Sequence, residues 1–276
     1  MLAALVIVFR EVLEAGLVVG VVLAATKGLA GRGWWIALGI AGGVVGAALV
    51  AFFAAEIANL FQGSGQEALN AAVLLLAVVM LAWTTVWMSK HGREMTAELK
   101  SVGKDVVAGR KPLTALAIVV GVAVLREGFE VVLFLYGVLA SGATSAGEVV
   151  VGGLLGILGG AAVAAALYFG LVAIPLKHLF KAITVLITLL AAGLASQAMA
   201  FLQQGGFVTV LTDTAWDTSW LLTDGSIAGR VVGTLVGYTA EPSWLQLIAY
   251  VVTIVAIVVL ARYAARPQPK APIAAA

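Results

Sequence analysis

The chain has 276 residues, 62% of them hydrophobic and only 11% charged, with a formal net charge of +2. An ordinary soluble domain is about half apolar and about a quarter charged, so a chain this poor in polar surface is neither a soluble enzyme nor a nucleic-acid binder. Cysteine is absent, which removes disulfides, thiolate metal sites and cysteine catalysis.

In chain order, the apolar runs reach the roughly 20 residues that a helix needs to cross a bilayer. They predict an all-α polytopic membrane protein with seven spans, near 2–26, 34–61, 67–89, 113–140, 147–172, 179–203 and 243–263. The first run is expected to be a span and not a cleaved signal peptide. Arg10, Glu11 and Glu14 stand where a signal peptide must be apolar.

Basic residues set the orientation. The loops after the first, third and fifth spans, with the C-terminal tail, carry Lys27 and Arg32, then Lys90, Arg93, Lys100, Lys104, Arg110 and Lys111. Lys177, Lys181, Arg262, Arg266 and Lys270 bring that side to thirteen, against Arg230 alone on the other. The expectation is a multi-pass protein of the plasma or inner membrane, N-terminus outside and C-terminus cytoplasmic. Acids lean the opposite way, with Glu67, Glu148, Asp213, Asp217, Asp224 and Glu241 in outer loops and Glu56 near the outer end of the second span. Topology bias alone leaves acids there. The functional alternative is an outer vestibule of Glu56, Asp213, Asp217, Asp224 and Glu241 that gathers cations.

A shift of 116 residues lays the first three spans on the next three. Phe9–Ala24 reads FREVLEAGLVVGVVLA and Leu125–Ala140 reads LREGFEVVLFLYGVLA, with Arg10/Arg126, Glu11/Glu127 and Glu14/Glu130 in register. Units of three helices run through the membrane in opposite directions, the inverted repeat of many transporters, with a site expected where the copies meet. The organisation predicted is a first repeat with its basic inner loop (1–112), a second, inverted repeat (113–205), an outer loop (206–242), and a seventh helix with its tail (243–276). Gly39/Gly43 and Gly42/Gly46 on the second span and Gly152/Gly156/Gly160 on the fifth have spacings that allow close helix approach.

Each repeat opens with R-E-x-x-E. On a helix the two glutamates share a face, and the arginine lies one turn before the second of them. Together the motifs would hold four carboxylates and two guanidinium groups. Each charge at mid-helix costs about 2.5–3.5 kcal/mol, so six approach about 15–20 kcal/mol before pairing. Two arginines cannot neutralise four glutamates, so the site calls for a further cation. Carboxylates suit hard or borderline ions such as iron, Mn²⁺, Ca²⁺ or Mg²⁺, and a close carboxylate pair can also hold a proton. The two histidines, His91 and His178, fall in or beside inner loops, where solvated roles are expected.

On these residues the chain resembles the oxidase-dependent iron transporter family, seven-helix permeases with R-E-x-x-E in the first and fourth helices. The likeness continues through Ala82–Met88, Ala191–Leu194, Phe201–Gln204, Trp216–Ser219, Gly237-Tyr238 and Pro242-Ser243, and departs at Gln204, where bacterial relatives often have an acid. The resemblance implies an iron permease, with iron as transported substrate, no resident cofactor, and Glu11, Glu14, Glu127 and Glu130 as metal ligands. Arg10 and Arg126 would act as countercharges. It also implies lipid surroundings and an extracytoplasmic oxidase or iron-donating partner. Alternatives are a permease for another divalent metal, a proton-coupled cation exchanger, or a carboxylate-bridged membrane metalloenzyme. Trp83 and Trp87 share a helix face near the inner boundary and are read as an interfacial belt, with a place on the transport path as the alternative.

Overall fold

The computed structural model describes residues 1–60, 66–142, 144–170 and 176–264. Its helices are α1 (Leu2–Ala25), α2 (Arg32–Leu60), α3 (Gln66–Val107), α4 (Thr114–Ala140), α5 (Ala146–Tyr168), α6 (Leu176–Gln204), α7 (Ile227–Val236) and α8 (Trp244–Ala264). Among the described residues, five segments are long and apolar enough to cross a membrane: Arg32–Ala54, Gln66–Trp87, Ala146–Tyr168, Phe180–Gln204 and Trp244–Ala264. α1 and α4 are of similar length, but each carries three charged residues at mid-helix. The side chains of Lys90, His91, Arg93, Lys177 and His178, and the tail with Arg266 and Lys270, lie outside the described residues.

Small residues decide which helices pair. Gly152, Gly156 and Gly160 of α5 lie on the backbone of α1 at Met1, Leu5 and Phe9; a Cβ on Gly156 would stand 2.8 Å from the Leu5 carbonyl oxygen. Gly39, Gly43 and Gly46 of α2 lie on Ala117, Gly121 and Leu125 of α4, where a Cβ on Gly39 would stand 2.6 Å from the Ala117 carbonyl oxygen. Residue numbers rise together along both contacts, so α1–α5 and α2–α4 are parallel pairs at close van der Waals range. Gly42 meets nothing within 4 Å, so its predicted packing role passes to Gly39 and Gly43.

Two buried apolar clusters bracket the mid-helix charges. One, toward the Met1 end, joins Ala3, Ala4 and Ile7 of α1 to Leu74 and Ala77 of α3, Phe134 and Val138 of α4, and Ile187, Ala191 and Leu194 of α6. The other, toward the basic end, joins Val18 and Val22 of α1 to Ile36 of α2, Leu99 and Val106 of α3, and Leu116 and Val120 of α4. Outward faces stay apolar: Leu49, Phe52 and Phe53 of α2, Leu154 and Leu158 of α5, and Val252, Val255 and Val259 of α8 are exposed. Bare apolar faces of this extent suit hydrocarbon and not water.

Two stretches read from the sequence as loops are helical. α3 runs through the basic segment to Val107, because Leu99, Gly103 and Val106 form a buried stripe at spacings of four and three. Gly103 allows that stripe to close on Ala25 and Thr26 at the end of α1. Past α3, Arg110 pairs with Asp105, donating from Nε at 3.0 Å. That side-chain hydrogen bond, with the adjacent cations, holds the Asp105 carboxyl below the usual carboxylate range. α7 lies within 206–242; the Ser226 hydroxyl accepts from Gly229 N at 2.9 Å at its start, and Gly237, at φ 75°, ends it in the left-handed conformation.

Candidate functional site

α1 and α4 meet at their charged turns. Arg10 donates from Nη1 to Glu11 Oε1 at 2.9 Å and lies 2.8 Å through Nε from Glu14 Oε1. One guanidinium therefore grips two carboxylates of its own helix, in the i,i+1 and i,i+4 directions. On α4, Arg126 Nε is 3.3 Å from Glu130 Oε1 and 4.0 Å from Glu127 Oε1. Glu11, Glu14, Glu127 and Glu130 are all buried, as is Arg10, while Arg126 is about a third exposed at its side chain (34%).

Glu11, Glu14 and Glu127 each offer one oxygen such that all three lie within 4.8 Å of one another. Metal–oxygen bonds to hard cations run about 2.0–2.6 Å, so oxygens at these separations can share one ion. Glu11 Oε2 and Glu127 Oε2 are buried and accept no hydrogen bond from any described residue. A buried carboxylate oxygen left so is costly unless a cation or proton meets it. Glu130 stands outside the triad, on Arg126. An apolar cavity of about 730 Å³ opens between the α1–α5 and α2–α4 pairs, with Glu11 and Glu127 in its wall.

The candidate vestibule acids do not gather in this way. Glu56, Asp213 and Glu241 are exposed. Asp217 Oδ1 accepts from the Ser219 hydroxyl at 2.6 Å and Ser219 N at 2.8 Å, and these bonds hold its carboxyl below the usual range. It is an anion at neutral pH, but one oxygen folds its own turn. Asp224 lines a cavity of about 480 Å³ with Gln197, Arg230 and Tyr238 near Ala3 of α1. Its Oδ1 accepts from Ala240 N at 2.9 Å.

Sequence reasoning placed Trp87 in an interfacial belt. In the structure the Arg126 guanidinium carbon lies 4.4 Å from the centre of the Trp87 ring, within cation–π range. The two residues sit on different helices, so no local spacing announces the contact. Trp83, one turn earlier, is exposed.

Apolar, membrane-length helices packed around buried carboxylates define a multi-pass membrane protein with a buried acidic site. The chain belongs to the iron permease FTR1 family, whose profile matches residues 1–266. It is 30% identical over 259 residues to the ferrous iron permease EfeU of Yersinia pestis, covering 92% of this chain and 90% of that one. With the ferrous iron permease EfeU of Escherichia coli O6:K15:H31 it shares 32% identity over 242 residues, 86% of each chain. The family and these relatives are permeases, not enzymes. No solved structure matches the chain.

Proposed function

We propose that this iron permease carries ferrous iron into the cytoplasm through a carboxylate site of Glu11, Glu14, Glu127 and Glu130, with Arg10 and Arg126 as countercharges. The observation that carries the reading is the convergence of Glu11, Glu14 and Glu127 oxygens within 4.8 Å inside a membrane-spanning bundle. The ferrous state is taken from the names of the relatives. Iron is the cargo here, and no resident cofactor enters the scheme.

Around that site we read seven spans, α1 to α6 and α8, with α1 and α4 crossing despite their charges because those charges face each other. Contact equivalence supports an inverted repeat. Gly152, Gly156 and Gly160 touch Met1, Leu5 and Phe9; Gly39, Gly43 and Gly46 touch Ala117, Gly121 and Leu125, each the first set advanced by 116. Between α2 and α5 the offset is 113 for the first two contacts (Gly39 to Gly152, Gly43 to Gly156) and 114 for the third (Gly46 to Gly160), so the loops differ by two or three residues. Residues 1–112 and 113–205 then form the two units, 206–242 the outer segment containing α7, and 243–276 the last span and tail. The basic bias puts Met1 outside and the α3 extension, with Lys100 and Lys104, in the cytoplasm. A partner that delivers ferrous iron, the iron donor that the resemblance implies, would meet the 206–242 face, where the Asp224 cavity opens.

The test is uptake of radioactive iron by proteoliposomes under reducing and oxidising conditions, with Mn²⁺ and Zn²⁺ as competitors. Uptake above empty liposomes, greater under reduction and only weakly inhibited by the competitors, is expected. Equal uptake by the Glu11→Gln, Glu127→Gln double variant would remove the carboxylate site from the path.

A further inference from the structure

The two motifs share their charges but not their geometry. In the first, the arginine closes on the adjacent glutamate at 2.9 Å; in the second, the same pair stands at 4.0 Å. Backbone geometry does not separate them, since both are one residue apart on regular helices. What the second arginine has in addition is the Trp87 ring, 4.4 Å from its guanidinium carbon. The indole face attracts the cation without neutralising it, and draws it away from Glu127. Glu127 Oε2 is buried and unbonded, as Glu11 Oε2 is beneath Arg10, and the three carboxylates within reach of one ion then have a single closely held guanidinium among them.

We propose that Trp87 is a positioning residue of the iron site: its ring holds Arg126 on Glu130 and off Glu127, keeping Glu127 available as a ligand. The inference rests on the carboxylate-site reading above. Without the ring, Arg126 is free to close on Glu127 as Arg10 closes on Glu11, and a second close guanidinium beside the three oxygens lowers their attraction for a cation. Trp87 touches no ligand oxygen in this scheme. Its effect on the ligand oxygens runs through Arg126.

The experiment is equilibrium binding of Fe²⁺, titrated anaerobically onto the purified full chain, with gel filtration and thermal unfolding reporting whether each variant is folded. Trp87→Leu should weaken binding about threefold to tenfold, the range that a partly desolvated cation–π contact supports. Trp87→Phe, which keeps an aromatic face, should bind within about twofold of the natural chain. In an Arg126→Gln background, Trp87→Leu should have no further effect, a coupling that a purely structural role would not produce. Unchanged affinity in Trp87→Leu, an equal loss in Trp87→Phe, or an undiminished loss in the Arg126→Gln background would overturn the proposal. Failure of the transport reading is distinguishable, because it would appear as Trp87-dependent iron binding without uptake by proteoliposomes.

Discussion

The first motif is sealed and the second is open. Arg10 has 7% of its side chain exposed and grips two carboxylates at 2.9 and 2.8 Å; Arg126 has 34% exposed and stands 4.0 and 3.3 Å from its own pair. Identical charge patterns thus have different surroundings, and the proposed iron site assigns them different tasks. The first motif supplies two carboxylates held in a fixed position. The second supplies Glu127, whose countercharge is partly withdrawn onto Trp87. The shared R-E-x-x-E motif makes the two halves alike; packing by α3 makes them unequal.

Replacing a carboxylate in either half is the harshest test of this division. Glu14→Ala and Glu130→Ala should each abolish iron uptake at equal protein level, measured in proteoliposomes. Wild-type uptake by either would take that glutamate off the path. Among arginine variants the halves should part company. Arg10→Gln strips a buried pair of its partner, at a cost of about 3–5 kcal/mol, and should lower the thermal unfolding temperature or the yield of folded protein sharply. Arg126→Gln should cost less, because its ion pairs are longer, 3.3 and 4.0 Å against 2.8 and 2.9 Å for Arg10. Equal destabilisation would erase the contrast. Arg126→Lys should still impair uptake, since an ammonium cannot reproduce the planar fork.

A gentler probe reaches the helix pair that carries the second motif. A Cβ on Gly43 would stand 2.7 Å from Val124 Cβ, whereas one on Gly42 meets nothing within 4 Å. Gly43→Ala should destabilise by about 1–3 kcal/mol through overpacking and displace α4 next to Arg126, while Gly42→Ala should be silent in unfolding and uptake alike. The smallest effects belong to the outer acids. Asp224→Asn should raise the apparent KM for iron modestly at low salt and less at physiological salt, where charges are screened over about 8 Å. Asp213→Asn and Glu241→Gln should leave KM unchanged, because neither lines the cavity.

Much of this arrangement is legible in the residues. Runs of apolar side chains mark the membrane-length helices, since in hydrocarbon the backbone must satisfy itself and local composition decides the element. R-E-x-x-E on α1 and α4 marks the buried charges by their expense alone. Harder to see is α3 beyond Trp87, where an apolar stripe of Leu99, Gly103 and Val106 is masked by lysines and glutamates on its other faces. α7 is short, and its signals, Ser226 before an apolar run and Gly237 after it, are visible once a helix is suspected. For the outer acids, charge along the chain does not show that Asp217 Oδ1 accepts two hydrogen bonds from Ser219. The Trp87–Arg126 contact joins separate helices and needs the tertiary structure.

The central claim is that carboxylates from both motifs bind one iron ion. Its most direct measurement is iron K-edge X-ray absorption on the purified full chain loaded with Fe²⁺, with the bound iron counted. The account predicts about one ion per chain in an oxygen-only environment at about 2.0–2.2 Å, lost when Glu11→Gln and Glu127→Gln are combined. Nitrogen coordination from histidine, or undiminished binding in the double variant, would contradict it.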